Sequence, residues 1–471
     1  MAADLSGGWK RATRVIVPVA LVALIFWIWR VTSAPDYSEE TAPNIIVYMI
    51  DTLRPDELAP YGAAVTRTPA IDEFAAGATV FLNARSPAVS TRPAVASLLA
   101  GVSPFVHGIV ENQGGLSDAF RLLPELLRAR GYHTGALVAN PNVREKLGFG
   151  RGFSIFKSLL PESWAWAADA DWVVDEVRQF IDDAPADRPF FLFVLSIDPH
   201  QPYMPPAPFD ALYDPGTAGG EAGSGANLRR IDDLFAAGRP VPPDELERIL
   251  SLYRGEISFA DAAFGDLIEV LEKNRLLDET LVVLTSDHGE AFGEHGNRGH
   301  SKTLFEETLR IPLILRHPKL FASGQRSENV DLLDLSATIA AMAGQTPPEH
   351  WTGRDLRTPR PDTGFFATNL QRREDELDFF TAVTIGDYKL IRNESKLSME
   401  LYHLNNDPHE RQPLDRDKNM DTVLQLSREL KRFRDRSLVL RKRIIKNEID
   451  PLDEEISEEM RQRLEALGYS E

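Results

Sequence analysis

Two carboxylates and a histidine stand where they could share a metal ion. Asp287 and His288 come just after the apolar run 280–285, and Asp51 follows a second apolar, β-branched run at 44–50. Such runs are typical of buried parallel strands, whose carboxyl ends meet at one edge of a sheet. Carboxylate oxygen and imidazole nitrogen suit Zn²⁺, Mn²⁺, Mg²⁺ or Ca²⁺ to differing degrees. The sequence therefore predicts one divalent metal ion bound by Asp51, Asp287 and His288.

Thr91 is the candidate nucleophile. Small residues and Pro93 introduce a helix, so we expect Thr91 just before the helix N-terminus. The helix dipole and free amides at that position stabilise both an alkoxide and an oxyanion substrate. The simpler interpretation is that Thr91 only caps the helix.

The elements that position these residues follow an alternating pattern. A third apolar run, 189–196, ends close to another acid, Asp198. Helical patterns lie between the runs, at residues 68–76, 122–130, 172–181 and 244–274. Alternating strands and helices predict an α/β sandwich with a mostly parallel central sheet, where ligands bind beyond the carboxyl ends of the strands.

The second half of the chain shows other patterns. The Gly/Ala-rich segment 214–227 is predicted to be a flexible surface loop. Short strand-like pieces at 380–384 and 388–391 predict a smaller C-terminal antiparallel-sheet subdomain. The predicted extents are a catalytic domain at 44–345, this subdomain at 346–419 and a charged helical tail at 420–471.

The N-terminus predicts a membrane anchor. Basic residues precede an apolar run at 15–29, which is shorter than the roughly 20 residues of a spanning helix. Arg14 and Arg30 can extend it by snorkelling, whereas a cleaved signal peptide would need a better cleavage site than residues 31–34 offer. We expect a transmembrane anchor at 15–31, a cytoplasmic N-terminus at 1–14 and a linker at 32–43. Acidic residues after the run place the catalytic domain outside the cell membrane, periplasmic or extracellular.

Composition excludes several classes of protein. The formal charge of −19, without a long basic run, argues against nucleic acid as a partner. The absence of cysteine excludes disulfides, a thiolate zinc site and a cysteine nucleophile. The oligomeric state has no signature in the sequence.

Many short motifs, in order and spacing, resemble the sulfatase family of the alkaline phosphatase superfamily. The resemblance extends from Asn44 to about Glu410. The motifs include Asp51-Thr52-Leu53-Arg54, Thr68-Pro69-Ala70-Ile71-Asp72, Ala96-Ser97-Leu98-Leu99-Ala100-Gly101, Asp198-Pro199-His200, Ser286-Asp287-His288-Gly289-Glu290 and Arg310-Ile311-Pro312.

The resemblance implies a role for several residues. Asp51, Asp287 and His288 match the family's metal ligands, although Thr52 stands where the family has a second aspartate. His200 resembles the histidine that contacts the transferring group or the leaving oxygen. His300 lies where the family keeps a cationic contact, with Lys302 close by; either histidine could instead be structural.

The nucleophile position departs from the family pattern. Sulfatases of the usual kind carry Cys or Ser in a C/S-x-P-S-R pattern that is oxidised to formylglycine, whereas here the segment reads Thr91-Arg92-Pro93-Ala94-Val95. Oxidation of threonine would give a ketone instead of the required aldehyde. A metal-bound Thr91 alkoxide, as in related phosphodiesterases and phosphotransferases, is therefore expected. Ser90 is a weaker candidate because it is one position out of register.

These observations predict a metal-dependent hydrolase of sulfate or phosphate/phosphonate esters that attacks through Thr91. The substrate class is a small-molecule, lipid or glycan ester. Two alternatives stay open: a phosphotransferase that uses the same site on a lipid or glycan headgroup, and an inactive, membrane-anchored binding protein that retains the fold. The residues at Thr52, Ala94 and Val95 favour inactivity, whereas the intact metal and histidine positions oppose it.

Overall fold

A computed structural model describes residues 42–160, 169–358, 364–373 and 376–445. The predicted anchor at 15–31 and the tail beyond residue 445 lie outside these ranges. Within them, no helix has both the length and the apolar character needed to cross a bilayer. The anchor, the location outside the membrane and the domain boundaries therefore stay predictions.

The central sheet has eight strands in the order β10-β2-β9-β6-β1-β5-β3-β4. All neighbouring pairs are parallel except those of β9, which runs antiparallel to β2 and β6. The strands are β1 (Asn44–Ile50), β2 (Thr79–Arg85), β3 (His133–Val138), β4 (Ile155–Ser158), β5 (Phe190–Ser196), β6 (Thr280–Thr285), β9 (Leu313–Arg316) and β10 (Gly324–Asp331), with β7 (Ala291–Phe292) and β8 (Arg298–Gly299) forming a separate two-stranded ribbon. The three strands predicted from apolar runs are thus confirmed, and they lie side by side at the centre of the sheet.

Ten helices lie within the described ranges. They are α1 (Pro69–Ala76), α2 (Thr91–Ala100), α3 (Pro104–His107), α4 (Leu123–Ala129), α5 (Ala170–Asp183), α6 (Gly225–Ala236), α7 (Pro243–Lys273), α8 (Glu306–Leu309), α9 (Leu332–Met342) and α10 (Met420–Ile444). The four helical patterns correspond to α1, α4, α5 and α7. Helix α5 starts two residues before the prediction because the Asp169 carboxylate accepts a hydrogen bond from the Trp172 amide and caps the first turn.

Both faces of the central sheet are covered. On β1, Ile46, Tyr48 and Ile50 pack in one cluster with residues of α1, α5 and α7. The intervening residues point to the other face and are equally buried. The nearly unbroken apolar run that predicted β1 is the consequence of this two-sided burial.

The predicted loop at 214–227 is irregular up to Ser224, whereas its last three residues belong to α6; its flexibility stays a prediction. Two 3₁₀ turns occupy Pro215–Thr217 and Glu221–Gly223, and α6 begins at Gly225. The Ser224 hydroxyl caps α6 by accepting from the Asn227 amide. The start of α6 was not predicted because the apolar residues that anchor this helix to the core lie beyond the Gly/Ala-rich window.

The predicted C-terminal antiparallel sheet is confirmed. It consists of β11 (Phe365–Arg373), β12 (Glu376–Ile385), β13 (Tyr388–Asn393) and β14 (Ser398–His403). Helix α10 packs Val423, Leu426 and Leu430 on it. Most charged residues of this helix are exposed, and its apolar stripe holds the helix to the domain.

Candidate active site

Two neighbouring strands bring the two candidate metal-binding aspartates together. Strand β1 pairs in parallel with β6, and the register sets Met49 opposite Thr285. Asp51 and Asp287 each lie two residues further along, so both occupy the same position beyond the carboxyl edge of the sheet. His288 follows at once, and all three side chains are completely buried.

Three atoms of these side chains converge on one point. The ligand atoms offered by Asp51, Asp287 and His288 all lie within 4.8 Å of one another. Nε2 of His288 is 4.0 Å from Oδ1 of Asp51 and 3.3 Å from Oδ2 of Asp287. Within the described part of the chain, these three atoms have no hydrogen-bond partner. Buried polar atoms without partners are rare, and two carboxylate oxygens and an imidazole nitrogen fit a divalent cation.

The remaining atoms of the same side chains are held by hydrogen bonds. Oδ1 of Asp287 accepts from the amides of Thr52 at 3.2 Å and His288 at 2.9 Å. Nδ1 of His288 lies 3.0 Å from the carbonyl oxygen of Gly289, which leaves Nε2 as the ligand atom. Such contacts fix the orientation of side chains that bind a metal ion directly.

The electrostatics of the site also favour a cation. Burial, reinforced by the Asp287 carboxylate, raises the pKa of Asp51 well above its usual range. Burial lowers the pKa of His288. A divalent ion in the centre opposes the first effect by stabilising the ionised carboxylate, and it is compatible with the second because it binds neutral imidazole.

Thr52 stands where the family resemblance expects a second aspartate. Its backbone is left-handed, with φ of 59°. Its carbonyl accepts from the Tyr253 hydroxyl at 2.8 Å. Its own buried hydroxyl has no partner among the residues that the structure describes. The backbone of Thr52 is therefore fixed by its neighbours, whereas its side chain is not.

Thr91 is the first residue of α2, and Ser90 takes the cap position. The interpretation of Thr91 as a helix cap is therefore wrong. The Thr91 hydroxyl is fully buried and accepts a hydrogen bond from Nδ2 of Asn140 at 3.4 Å. The Ser90 hydroxyl instead pairs with that of Ser301 at 2.6 Å. The helix ends at Gly101, where φ of +64° and the adjacent Trp351 ring leave no room for a side chain.

Fewer free amides surround Thr91 than its position at a helix start suggests. The Arg92 amide donates to Oδ1 of Asn112 at 2.9 Å. Pro93 has no amide hydrogen, and the Ala94 amide donates to the Ser90 carbonyl. The expectation of free amides beside Thr91 is thus wrong in large part, because local contacts already use these groups.

Asn140 is a residue of the site that sequence analysis missed. It lies two residues past the end of β3, the second neighbour of β1 on that side of the sheet. Its Nδ2 atom donates to Oδ2 of Asp51 at 2.5 Å as well as to Thr91. A polar residue just beyond a buried strand was the available signal, but the following Pro141 makes the segment look like an ordinary turn.

The two candidate histidines lie beside the metal-ligand cluster. The ring centre of His300 is 4.5 Å from that of His288 and 5.0 Å from that of His200. Nδ1 of His300 lies 3.1 Å from Oε1 of Glu290, whose other oxygen accepts from the Tyr203 hydroxyl. Burial alone would raise the pKa of Glu290, but His300 holds it near 2. Burial lowers the pKa of His200 to about 4, so that ring is neutral at neutral pH.

Lys302 has partners of its own. Its Nζ atom donates to Oδ1 of Asp232 at 3.2 Å and to the carbonyl of Arg298 at 2.6 Å. Arg298 binds the other oxygen of Asp232. These contacts hold Lys302 in an ion-pair group beside His300, and its contact with substrate stays a prediction.

Comparison with known proteins identifies the class of enzyme. The Sulfatase family model matches residues 43–345. A second model, described as N-sulphoglucosamine sulphohydrolase, C-terminal, matches residues 293–436. The chain is thus an alkaline phosphatase-like ester hydrolase. Within that class it belongs to the sulfatase family, which confirms the resemblance seen in the motifs.

Individual relatives agree with this assignment. The chain is 22% identical to an N-acetylglucosamine-6-O-sulfatase of Bacteroides thetaiotaomicron, over 80% of this chain and 83% of the relative. A phosphonate monoester hydrolase of Agrobacterium radiobacter has the same fold, with a TM-score of 0.68, 22% identity and coverage of 86% and 96%. A structure in complex with its substrate D-glucosamine-2-N,6-O-disulfate gives a TM-score of 0.70 at 20% identity, covering 84% and 98%. The predicted sulfatase-like sandwich and the predicted ester-hydrolase activity are confirmed.

Proposed function

We propose that this enzyme is a metal-dependent hydrolase of sulfate or phosphorus esters whose nucleophile is Thr91. The observation that supports this most directly is the shared contact of Asn140. One amide nitrogen bonds both Oγ1 of Thr91 and Oδ2 of Asp51. Asp51 is one of the three residues whose ligand atoms converge. A hydroxyl held beside a cation site is the arrangement that ester cleavage by a side-chain alkoxide requires.

Asp51, Asp287 and His288 would hold the metal ion, and Thr91 would contact it. When bound, a divalent ion supplies positive charge that lowers the pKa of a nearby hydroxyl and neutralises the oxygens of the ester. The identity of the ion is open, since the ligand set suits Ca²⁺, Mn²⁺, Mg²⁺ and Zn²⁺ to differing degrees.

His300 is the proposed acid and base. Glu290 orients the ring, since its Oε1 atom lies 3.1 Å from Nδ1 of His300, and a proton on Nε2 can pass to the leaving oxygen. Thr91 releases its hydroxyl proton to solvent, and its oxygen forms a bond to phosphorus or sulfur as the bond to the leaving oxygen breaks. The neutral His300 then takes a proton from water, whose oxygen attacks the same centre as the bond to the Thr91 oxygen breaks and regenerates the alkoxide.

His200 has a different proposed task. Its Nδ1 atom lies 2.6 Å from the Gln201 carbonyl oxygen, so the neutral ring carries its proton there. Nε2 is then an acceptor that can orient the attacking water. Lys302 is proposed to add positive charge on the side of the leaving group.

Phosphate and phosphonate esters are the favoured substrates within this proposal. A phosphorylated threonine can be released by in-line attack of water on phosphorus. A sulfated threonine lacks the release route that formylglycine provides to its sulfate. Similar proteins include a phosphonate monoester hydrolase and an N-acetylglucosamine-6-O-sulfatase. Esters of both classes, with small-molecule, lipid or glycan alcohols, are therefore candidate substrates.

A panel of aryl sulfates, phosphate monoesters, phosphate diesters and phosphonates tests this proposal. We expect Thr91→Ala to lose at least about a thousandfold in kcat on whichever ester the wild type cleaves. Ser90→Ala is the matched control, because its hydroxyl pairs with Ser301, and it should retain activity. The reverse pattern would make Ser90 the nucleophile. A product that forms in proportion to an added alcohol would indicate the phosphotransferase alternative, and no turnover together with no bound metal would indicate the inactive binding protein.

We also propose that residues 15–31 anchor the enzyme in the cell membrane, with the catalytic domain outside. The basic residues before this apolar run and the acidic residues after it support that orientation. Fractionation of the full chain, with and without residues 1–31, tests the anchor. Protease treatment of intact cells tests the side on which the domain lies.

A further inference from the structure

The orientation of the Asn140 side chain is fixed by its own carboxamide oxygen. The backbone amide of Asn142 donates to Oδ1 of Asn140 at 2.7 Å. Because a backbone amide can only donate, the acceptor must be the oxygen, and the other end of the carboxamide is the NH₂ group. Asn140 therefore presents two N–H bonds to the site.

The first N–H contact selects which oxygen of Asp51 is left for a metal ion. Nδ2 of Asn140 lies 2.5 Å from Oδ2 of Asp51. The other oxygen, Oδ1, has no partner in the described ranges and faces Nε2 of His288. Asn140 thus occupies one side of the carboxylate and leaves the other side for the cation.

The second N–H contact acts on the nucleophile. The Thr91 hydroxyl oxygen accepts from the same nitrogen at 3.4 Å. A hydrogen bond that is donated to this oxygen favours its ionised form and fixes the direction of its lone pairs. The long distance indicates a weak contact with neutral hydroxyl, which a negative charge on the oxygen would strengthen.

The loop that carries Asn140 is attached to the nucleophile helix. Nε of Arg92, the residue after Thr91, donates to the carbonyl of Asn142 at 2.9 Å. Nη1 of the same side chain donates to the carbonyl of Gly114 at 3.0 Å. The position of Asn140 relative to Thr91 is therefore held by a second connection, independent of the contacts within the site.

We propose that Asn140 is the positioning residue that joins the metal-binding carboxylate of Asp51 to the Thr91 nucleophile. It directs Oδ1 of Asp51 toward the cation and aligns the Thr91 oxygen with the ester. This inference rests on the proposed function, and it adds a residue that the sequence motifs did not include.

Asn140→Ala in the full chain tests the inference through two separate measurements. Titration of Mn²⁺ into chelator-treated protein should show a 10- to 100-fold weaker affinity than in the wild type, the usual effect of losing an outer-shell partner. Hydrolysis of the best ester of the panel in saturating Mn²⁺ should show a similar loss in kcat with KM little changed, because Asn140 contacts Thr91 and Asp51 instead of substrate. A purely structural role would lower the melting temperature without weakening Mn²⁺ binding and without lowering kcat at an unchanged KM.

Two control variants complete the design. Asn83→Ala removes an asparagine whose Nδ2 atom donates to the Ser327 carbonyl, away from the site, and this variant should behave as the wild type. Asp287→Ala should abolish Mn²⁺ binding. If Asn140→Ala does not fold, Asn140→Ser replaces it with the same expected losses, because serine is too short to reach either oxygen.

The outcomes separate this inference from the proposed function. If Asn140→Ala has the Mn²⁺ affinity and kcat of the wild type, the inference about Asn140 is overturned but the proposed function is not. This conclusion requires that Asp287→Ala no longer binds the ion. Absence of binding of Mn²⁺, Ca²⁺, Mg²⁺ and Zn²⁺ alike in the wild type would overturn both. Weaker Mn²⁺ binding together with a lower kcat supports the inference.

Discussion

Nε2 of His288 lies 3.3 Å from Oδ2 of Asp287, although both atoms are buried and neither has a hydrogen-bond partner in the part of the chain that the structure describes. Each side chain is held by hydrogen bonds to its other polar atom, so the pair cannot relax by turning away. Buried groups kept unpaired in this way lower the stability of the metal-free protein. A cation that binds between them both satisfies the atoms and removes this cost.

Metal ion should therefore stabilise the enzyme against heat. Addition of Mn²⁺ at one hundred times its Kd to chelator-treated protein is expected to add about 2.7 kcal/mol to the free energy of unfolding. Differential scanning calorimetry would show this as a higher melting temperature. Asp287→Ala, which lacks one ligand, should show no shift. An equal shift in both proteins would mean that the ion binds elsewhere.

The Thr91 hydroxyl can be tested without disturbing its buried surroundings. Thr91→Val keeps the shape of the side chain and removes the oxygen that accepts from Asn140, so kcat should fall at least about a thousandfold. Thr91→Ser keeps the oxygen and should retain most of the activity. Steady-state kinetics on the same ester distinguish the variants. Activity in Thr91→Val close to that of Thr91→Ser would exclude Thr91 as the nucleophile.

The convergence of the candidate metal ligands was predictable from sequence because it depends on one rule of sheet geometry. Asp51 and Asp287 each follow a strand that is buried on both faces, and parallel strands end at the same edge. Asp198 satisfies the same rule after β5, yet its carboxylate accepts from the Ala170 amide at the start of α5. The position of an acid at a strand end could be predicted, but the choice between an ion and a helix amide depends on the helix packed beside it.

Asn140 illustrates what sequence patterns could not provide. Its role depends on β3 lying in the same sheet as β1 with β5 between them, an order that is not sequential along the chain. The direction of its amide depends on a contact within its own turn. The ion-pair partners of Lys302 could not be predicted either, because Asp232 lies on α6, a helix that the sequence patterns did not indicate.

His107 should make stability fall in acid. Burial lowers the pKa of this histidine to about 3, and Arg441 acts in the same direction. Its Nδ1 accepts from the Ile109 amide, so the neutral ring is the form that fits. The unfolded chain takes up a proton near its usual pKa of about 6.5, while the folded protein does not until about 3. The stability contributed by His107 is therefore complete above about pH 6.5 and is lost as the pH falls toward 3.

Urea unfolding at several pH values checks this sign. Between pH 7.5 and 4.5, the free energy of unfolding should fall more steeply in the wild type than in His107→Gln, which does not titrate. At pH 7.5 the variant should be the less stable protein, because the bond between the His107 ring and the Ser97 hydroxyl is lost. Parallel pH dependences would show that His107 is protonated in the folded protein.

Lys389 should be essential for joining the C-terminal sheet to the main domain. Its fully buried Nζ lies 2.9 Å from Oε1 of Glu306 and 2.8 Å from Oε1 of Glu410. Arg85 also binds Glu306, so Lys389→Met would leave Glu410 as the carboxylate without a cation. Removing one partner of a buried ion pair costs about 3–5 kcal/mol.

Burial raises the pKa of Glu410 to about 7 even though Lys389 opposes it. The neutral, protonated carboxyl tolerates the loss of Lys389 better, so the destabilisation in Lys389→Met should be larger at pH 8 than at pH 5. Lys273→Met removes an exposed pair with Glu269 and is the matched control, with little expected change in stability. Addition of Glu410→Gln to Lys389→Met should recover part of the lost stability, because the uncompensated charge is then removed. A cost in Lys389→Met as small as in the control would mean that water reaches Glu410 and replaces the lysine.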